Sequence, residues 1–210
     1  MILKFLPEVK RRSILDVGCG IGNYSIMLAR MGAWVIGVDA SLPMIATVKE
    51  RSRRLQLHLE VVLVDAHMLP FRMNVFDLTV SILALCFIRL PSDAIKEMKR
   101  VTKYNGELVL GTLNKWSPYG ISKKARSHFI ESSYRSAIFH TPLELKRLAG
   151  STKWCSTIFA LEWMPKWLLD IFYCIDAHLG KVMKPFGAFL ATRALTSTPI
   201  SARTGSFRTC

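Results

Sequence analysis

A short apolar run, Ser13-Ile14-Leu15-Asp16-Val17, leads straight into the glycine cluster Gly18-Cys19-Gly20-Ile21-Gly22. An apolar run of this length bounded by glycine reads as a buried parallel strand. Behind it, Tyr24, Met27, Leu28 and Met31 recur at spacings of three and four until Gly32, the pattern of a helix and its stop. A strand, a glycine turn and a helix in that order offer a ligand bare backbone, because glycine has no Cβ to hold it off.

The same alternation continues. Trp34 to Val38 reads as a second strand, ending at Asp39, and Ser41 is placed to cap a helix presenting Met44, Ile45 and Val48 on one side. Leu59 to Val64 is a third strand, ending at Asp65, and Phe76 to Leu85 a fourth. Ser92 to Lys103 has a helical pattern capped at Ser92, with Ile95, Met98 and Val101 inward. Asn105-Gly106 turns the chain into a fifth strand, Glu107 to Leu113. Thr141-Pro142-Leu143-Glu144 is a capping box with proline at the first helical position. Trp154 to Trp163 reads as a sixth strand and Ala188 to Leu195 as a seventh. Strands and helices alternating at this pace predict an α/β fold, a parallel sheet covered on both faces.

The turn itself discriminates between ligands. A dinucleotide site has the spacing G-x-G-x-x-G and sets a pyrophosphate on the helix N-terminus. Here the spacing is G-x-G-x-G, preceded by an acid, Asp16. A carboxylate beside the turn repels a pyrophosphate and suits a ligand that carries an ammonium group. Asp39 lies about 20 residues beyond the turn, where an acid accepts hydrogen bonds from ribose hydroxyls. Asp65, with Ala66, ends the next strand on the same carboxyl edge, where open α/β sheets bind their ligands.

The text ILDVGCGIGNYS, then VIGVDAS followed by Met44, then VDAHMLPF, FDLTVS and EMKRVTKYNGELVLGTLN, resembles the class I methyltransferases that use S-adenosyl-L-methionine (SAM). Within them it is similar to the ubiquinone/menaquinone-biosynthesis type. The resemblance is tight from Ser13 to Asn114. It implies a Rossmann-like three-layer sandwich with a mostly parallel, seven-stranded sheet whose last strand is antiparallel. It also implies roles by position. Gly18 and Gly20 line the methionine end of SAM, and Asp16 holds the turn or meets the amino group through water. Asp39 binds the ribose, Met44 flanks the adenine, Asp65 and Ala66 contact its edge, and Ser81 lies near the methionine moiety.

The chain has 210 residues, room for one α/β domain, expected over 1–196 with a poorly ordered tail at 197–210. Five scattered cysteines form no C-x-x-C pair, so metal chemistry of the usual spacing is not expected and a reducing cytoplasm is. No signal peptide is read at the N-terminus. The apolar stretches are well short of the roughly 20 residues a membrane helix needs. A net charge of +14 is read as solvated helix surface, since no basic run is long enough for a nucleic-acid arm.

Methyl transfer from a sulfonium needs alignment more than a catalytic group, and no catalytic residue is assigned. A base is needed only where the acceptor must lose a proton, and His140, Asp176 and His178 are the candidates. The aromatic segments 114–140 and 164–186 are the expected acceptor side. Trp116, Tyr119, Trp163, Trp167, Phe172 and Tyr173 are read as lining for an apolar or aromatic small molecule. Basic flanks at Lys166 and from Lys181 to Lys184 also suit contact with a membrane surface. Ser81-Ile82-Leu83-Ala84-Leu85 is unlike the Asn/Asp-Pro-Pro-aromatic run of enzymes that methylate nucleic-acid amino groups. The alternatives are a tRNA or rRNA methyltransferase working through its basic surface, and a non-catalytic SAM-binding module. An NAD-dependent oxidoreductase is disfavoured by the glycine spacing and Asp16.

Overall fold

The computed structural model describes residues 6–117, 120–121, 137–150, 153–157 and 187–196. The segment 164–186, most of 114–140 and the tail from 197 lie outside these residues. So do the expectations placed on Tyr119, Trp163, Trp167, Phe172, Tyr173, Asp176 and His178.

The chain runs β1 (Ser13–Val17), α1 (Asn23–Arg30), β2 (Trp34–Asp39), α2 (Leu42–Arg54), β3 (Glu60–Leu63) and β4 (Phe76–Ile82). It continues with α3 (Pro91–Val101), β5 (Thr102–Leu113), α4 (Pro142–Ala149), β6 (Lys153–Thr157) and β7 (Phe189–Leu195). The seven strands form one sheet in the order β3-β2-β1-β4-β5-β7-β6. Strands β1 to β5 pair in parallel, and β7 runs antiparallel to both β5 and β6. The order reverses at β1 and β4, so the loops after these two strands diverge and leave a crevice at the carboxyl edge.

Both faces of the sheet are buried, as its near-continuous apolar strands require. One core packs Leu15, Val17, Leu108 and Leu110 against Ile95, Met98 and Val101 of α3 and Leu145 of α4. The opposite core packs Ile14, Val35, Leu78 and Val80 against Leu28 of α1.

This packing sets where the local elements begin, end and turn. In α1 the buried residues are Ser25, Ile26 and Leu28, while Met31 is exposed, because the helix rolls its Ser25 side toward β1. Ser41 occupies the position before α2 but accepts no capping bond through its side chain. Ser92 does not cap α3; the helix starts one residue earlier at Pro91, whose fixed φ suits a first helical position. The fourth strand stops at Ile82 and a 3-10 turn, Leu85–Phe87, follows. The fifth begins at Thr102, because Asn105 (φ 59°) takes a left-handed conformation within a bulge, and pairing with β4 resumes at Glu107. The capping box at Thr141 is present in both directions, and Gly150 (φ 66°) ends α4.

Gly22 precedes α1 at φ 80°, and a Cβ there would meet Val48 Cγ2 at 2.2 Å. Gly22→Ala therefore combines left-handed strain with overpacking against α2. It is expected to destabilise the fold by about 3 kcal/mol in urea denaturation. An unchanged midpoint would show that α1 and α2 pack more loosely than this.

Candidate functional site

The carboxyl edge gathers the sequence-predicted residues around the turn after β1. Asp16 is buried at 1% exposure, and its carboxylate accepts a hydrogen bond from Ser25 Oγ at 2.5 Å. This bond ties the end of β1 to the first turn of α1, the two walls of the glycine turn. Burial pushes the Asp16 carboxyl up to about 6, against the lowering effect of Ser25, and the Asp39 charge adds to the rise. The sequence shows a hydroxyl nine residues after the acid, but only the folded turn makes it a partner.

Gly18, Gly20 and Gly22 all take positive φ. Their surroundings differ in a way that assigns them different jobs. A Cβ on Gly18 would lie 2.2 Å from Ala84 Cβ, so this glycine lets the turn after β4 close against the turn after β1. A Cβ on Gly20 would meet nothing within 4 Å. Gly20 is the position where the backbone faces open space.

Asp39, half-buried at the end of β2, is held by two backbone donors. Gly20 N donates to Oδ2 at 2.8 Å and Ser41 N to Oδ1 at 2.9 Å. The carboxylate is thus fixed directly beside the open glycine. Met44 sits in the first turn of α2 and is 39% exposed, in contrast to Ile45 and Val48 behind it, which are buried.

Asp65, beyond β3, is exposed and folds back on its own loop. Its Oδ1 accepts from His67 N at 2.9 Å and lies 2.6 Å from His67 Nδ1. These bonds hold its carboxyl below the usual range, the backbone bond from His67 contributing most. Ala66 is partly buried against the core beneath α3. Ser81 is fully buried at the end of β4, and its Oγ has no hydrogen-bond partner. Two residues on, Leu83 takes φ 63°, a left-handed conformation rare for a branched side chain. Cys86 Sγ donates to the Leu83 carbonyl across this turn at 3.2 Å.

Neither described cysteine is poised as a nucleophile. Burial pushes the Cys19 thiol up to about 12, with Asp16 and Asp39 adding to it, and pushes Cys86 up to about 11. Among the described residues no cluster of His, Cys, Asp or Glu is arranged to hold a metal ion. No described helix is long and apolar enough to cross a membrane.

Residues 15–110 match the family model described as a methyltransferase domain. The chain is 36% identical over 135 residues to the malonyl-[acyl-carrier protein] O-methyltransferase of Buchnera aphidicola, covering 64% of this chain and 52% of that one. It is 32% identical over 116 residues to a ubiquinone biosynthesis O-methyltransferase of Coxiella burnetii, covering 54% and 50%. Among solved structures, a SAM-dependent methyltransferase of Thermotoga maritima, described as a possible histamine N-methyltransferase, superposes with a TM-score of 0.71. It is 21% identical, and the match covers 93% of this chain and 86% of that one. Residues 15–110 thus resemble a methyltransferase domain, on a fold shared with a SAM-dependent methyltransferase.

The chain spans about half the length of the two curated relatives. The matched region runs from Leu15 to Leu110, from the strand before the glycine turn through most of β5. The resemblance, the mostly parallel sheet and its antiparallel last strand expected from the sequence therefore hold.

Proposed function

We propose that this chain transfers a methyl group from SAM to a small-molecule acceptor. The observation that carries the reading is the pairing of Gly20, open at its Cβ position, with the Asp39 carboxylate anchored beside it. A cofactor with a ribose and a charged methionine end fits such a pairing. When bound, SAM supplies an already activated methyl group, so the protein has chiefly to hold, orient and exclude water.

On this reading Gly18 and Gly20 line the methionine end and Asp39 accepts from the ribose hydroxyls. Met44 covers one adenine face, supported by its exposure beside buried neighbours. Asp65 and Ala66 meet the adenine edge, and Ser81 lies near the methionine moiety. Asp16 holds the turn through Ser25 and faces the cofactor ammonium through water. One domain over 1–196 acting in the cytoplasm, on an apolar or aromatic acceptor, completes the reading. Calorimetric titration with SAM, its demethylated product and NAD tests it. Micromolar binding of the first two and none of NAD is expected, and a folded protein that ignores SAM at millimolar supply overturns it.

Asp16 makes the binding pH-dependent. Its folded value of about 6 lies above the usual 3.8, so in the empty protein the buried carboxylate opposes folding at neutral pH. That opposition amounts to about 3 kcal/mol and is relieved as pH falls from about 6 toward 4. A nearby ammonium favours the charged form, so SAM affinity is expected to rise between pH 5 and pH 7 with release of a proton. Asp16→Asn keeps an oxygen for Ser25 but removes the charge, and should flatten this dependence. Equal slopes in calorimetry of the two proteins would show that Asp16 only holds the turn.

A further inference from the structure

Four buried side-chain atoms without hydrogen-bond partners stand out among the described residues: His67 Nε2, Ser81 Oγ, Thr112 Oγ1 and His140 Nδ1. All four lie at the carboxyl edge of the sheet, after β3, at the ends of β4 and β5, and just before α4. Buried polar groups are nearly always paired, and a group left bare calls for a physical explanation. Elsewhere in this sheet the rule is obeyed. Thr79, two residues before Ser81, shares a 2.7 Å hydrogen bond with Thr102, whose Oγ1 also donates to Met98 O at 2.6 Å.

Three of the four belong together. Ser81 pairs with Leu110 in register, and Thr112, two residues further along β5, points to the same face. His140 is brought to the end of that strand by a pinned segment. Ile138 N donates to Cys86 O at 2.7 Å, Lys115 N donates to His140 O at 3.1 Å, and Asn114 forms a parallel bridge with His140. The segment thus spans the tips of β4 and β5. Its apolar residues Ala137 and Phe139 pack on Cys86 and Leu113, which fixes it there.

We propose that Ser81, Thr112 and His140 form the polar wall that receives the methyl acceptor, and that the acceptor is a neutral, hydroxyl-bearing small molecule whose proton His140 takes at Nδ1. The inference rests on the methyltransferase reading. The wall holds two hydroxyls and an imidazole, and the carboxylate whose charge reaches His140, Glu144, is engaged by Thr141 N at 2.9 Å. A neutral wall suits a neutral hydroxyl better than an ammonium ion. Burial lowers the His140 value, against the pull of Glu144, so the ring is a neutral base. The acceptor oxygen bonds to the methyl carbon as the methyl–sulfur bond breaks and its electron pair stays on sulfur. The hydroxyl proton passes to Nδ1, leaving an ether and a neutral thioether.

The test uses the whole chain saturated with the demethylated cofactor, and phenol, catechol and benzyl alcohol as probes. Imidazole nitrogen NMR, with His140 assigned by its loss in His140→Gln, is expected to show a neutral ring whose signal moves with at least one probe. Thr112→Val and Ser81→Ala remove bare hydroxyls, so each should raise the melting temperature of the empty protein by about 2–4 °C. Each should also weaken probe binding about tenfold. A hydroxyl with a purely structural role would instead lower the melting temperature on removal. The proposal is overturned if the cofactor product binds but no probe moves the His140 signal, or if both variants lose stability. Failure of the cofactor product itself to bind would strike the methyltransferase reading instead.

Discussion

Gly20→Asp is expected to lower SAM affinity more than a hundredfold while leaving the protein folded. The backbone there has φ 55°, a conformation aspartate tolerates better than most residues, and its Cβ meets no atom within 4 Å. The empty protein therefore accommodates the side chain at a cost of about 1 kcal/mol. The bound protein does not, because the new side chain fills the space through which the cofactor would reach the backbone. It also adds a third carboxylate beside Asp16 and Asp39. Gly18→Ala is the contrasting control: its Cβ would collide with Ala84, so it should lose stability first. Calorimetry beside a thermal melt separates the two. A well-folded Gly20→Asp protein that binds SAM normally would mean that the open glycine faces nothing of consequence.

Asp39→Ala is expected to weaken SAM binding about a hundredfold, close to 3 kcal/mol. Two effects combine. The ribose hydroxyls lose a charged acceptor, and Gly20 N and Ser41 N lose the oxygens that fix the turn. Asp39→Asn distinguishes them, since it keeps one acceptor oxygen and gives up the charge. Its affinity should fall between those of wild type and the alanine variant. Equal affinity for all three proteins would remove Asp39 from the site.

Much of this was legible in the chain because it is local. The glycine turn, the acids that end β1 and β2, and the capping box at Thr141 each depend on residues within a few positions of one another. The edges of elements were less legible. Ser41 and Ser92 have the right chemistry for caps, yet neither caps its helix through its side chain. Proline at the first helical position and the packing of α3 on the sheet outweighed the hydroxyl preference. The fifth strand starts early because Thr102 pairs with Phe76 before the bulge, a contact that no local pattern announces.

Partners distant in sequence were out of reach. Glu107 accepts from Arg12 at 3.0 Å and from Arg193, joining residues 95 and 86 positions away where β5 resumes pairing with β4. Ala84 rests against Gly18, and His140 comes to the tips of β4 and β5 only through Cys86 and Lys115.

By itself, the amino-acid sequence determined that strands alternate with helices, that glycine and acid meet at the ends of strands, and that a SAM-type turn opens the fold. Backbone conformation and short-range polarity carry that information. Tertiary structure alone decided which glycine faces open space, which acids are held by which donors, and which buried hydroxyls stay unpaired. Those outcomes depend on what packs against each residue from remote parts of the chain, and a side chain's chemistry does not specify its neighbours.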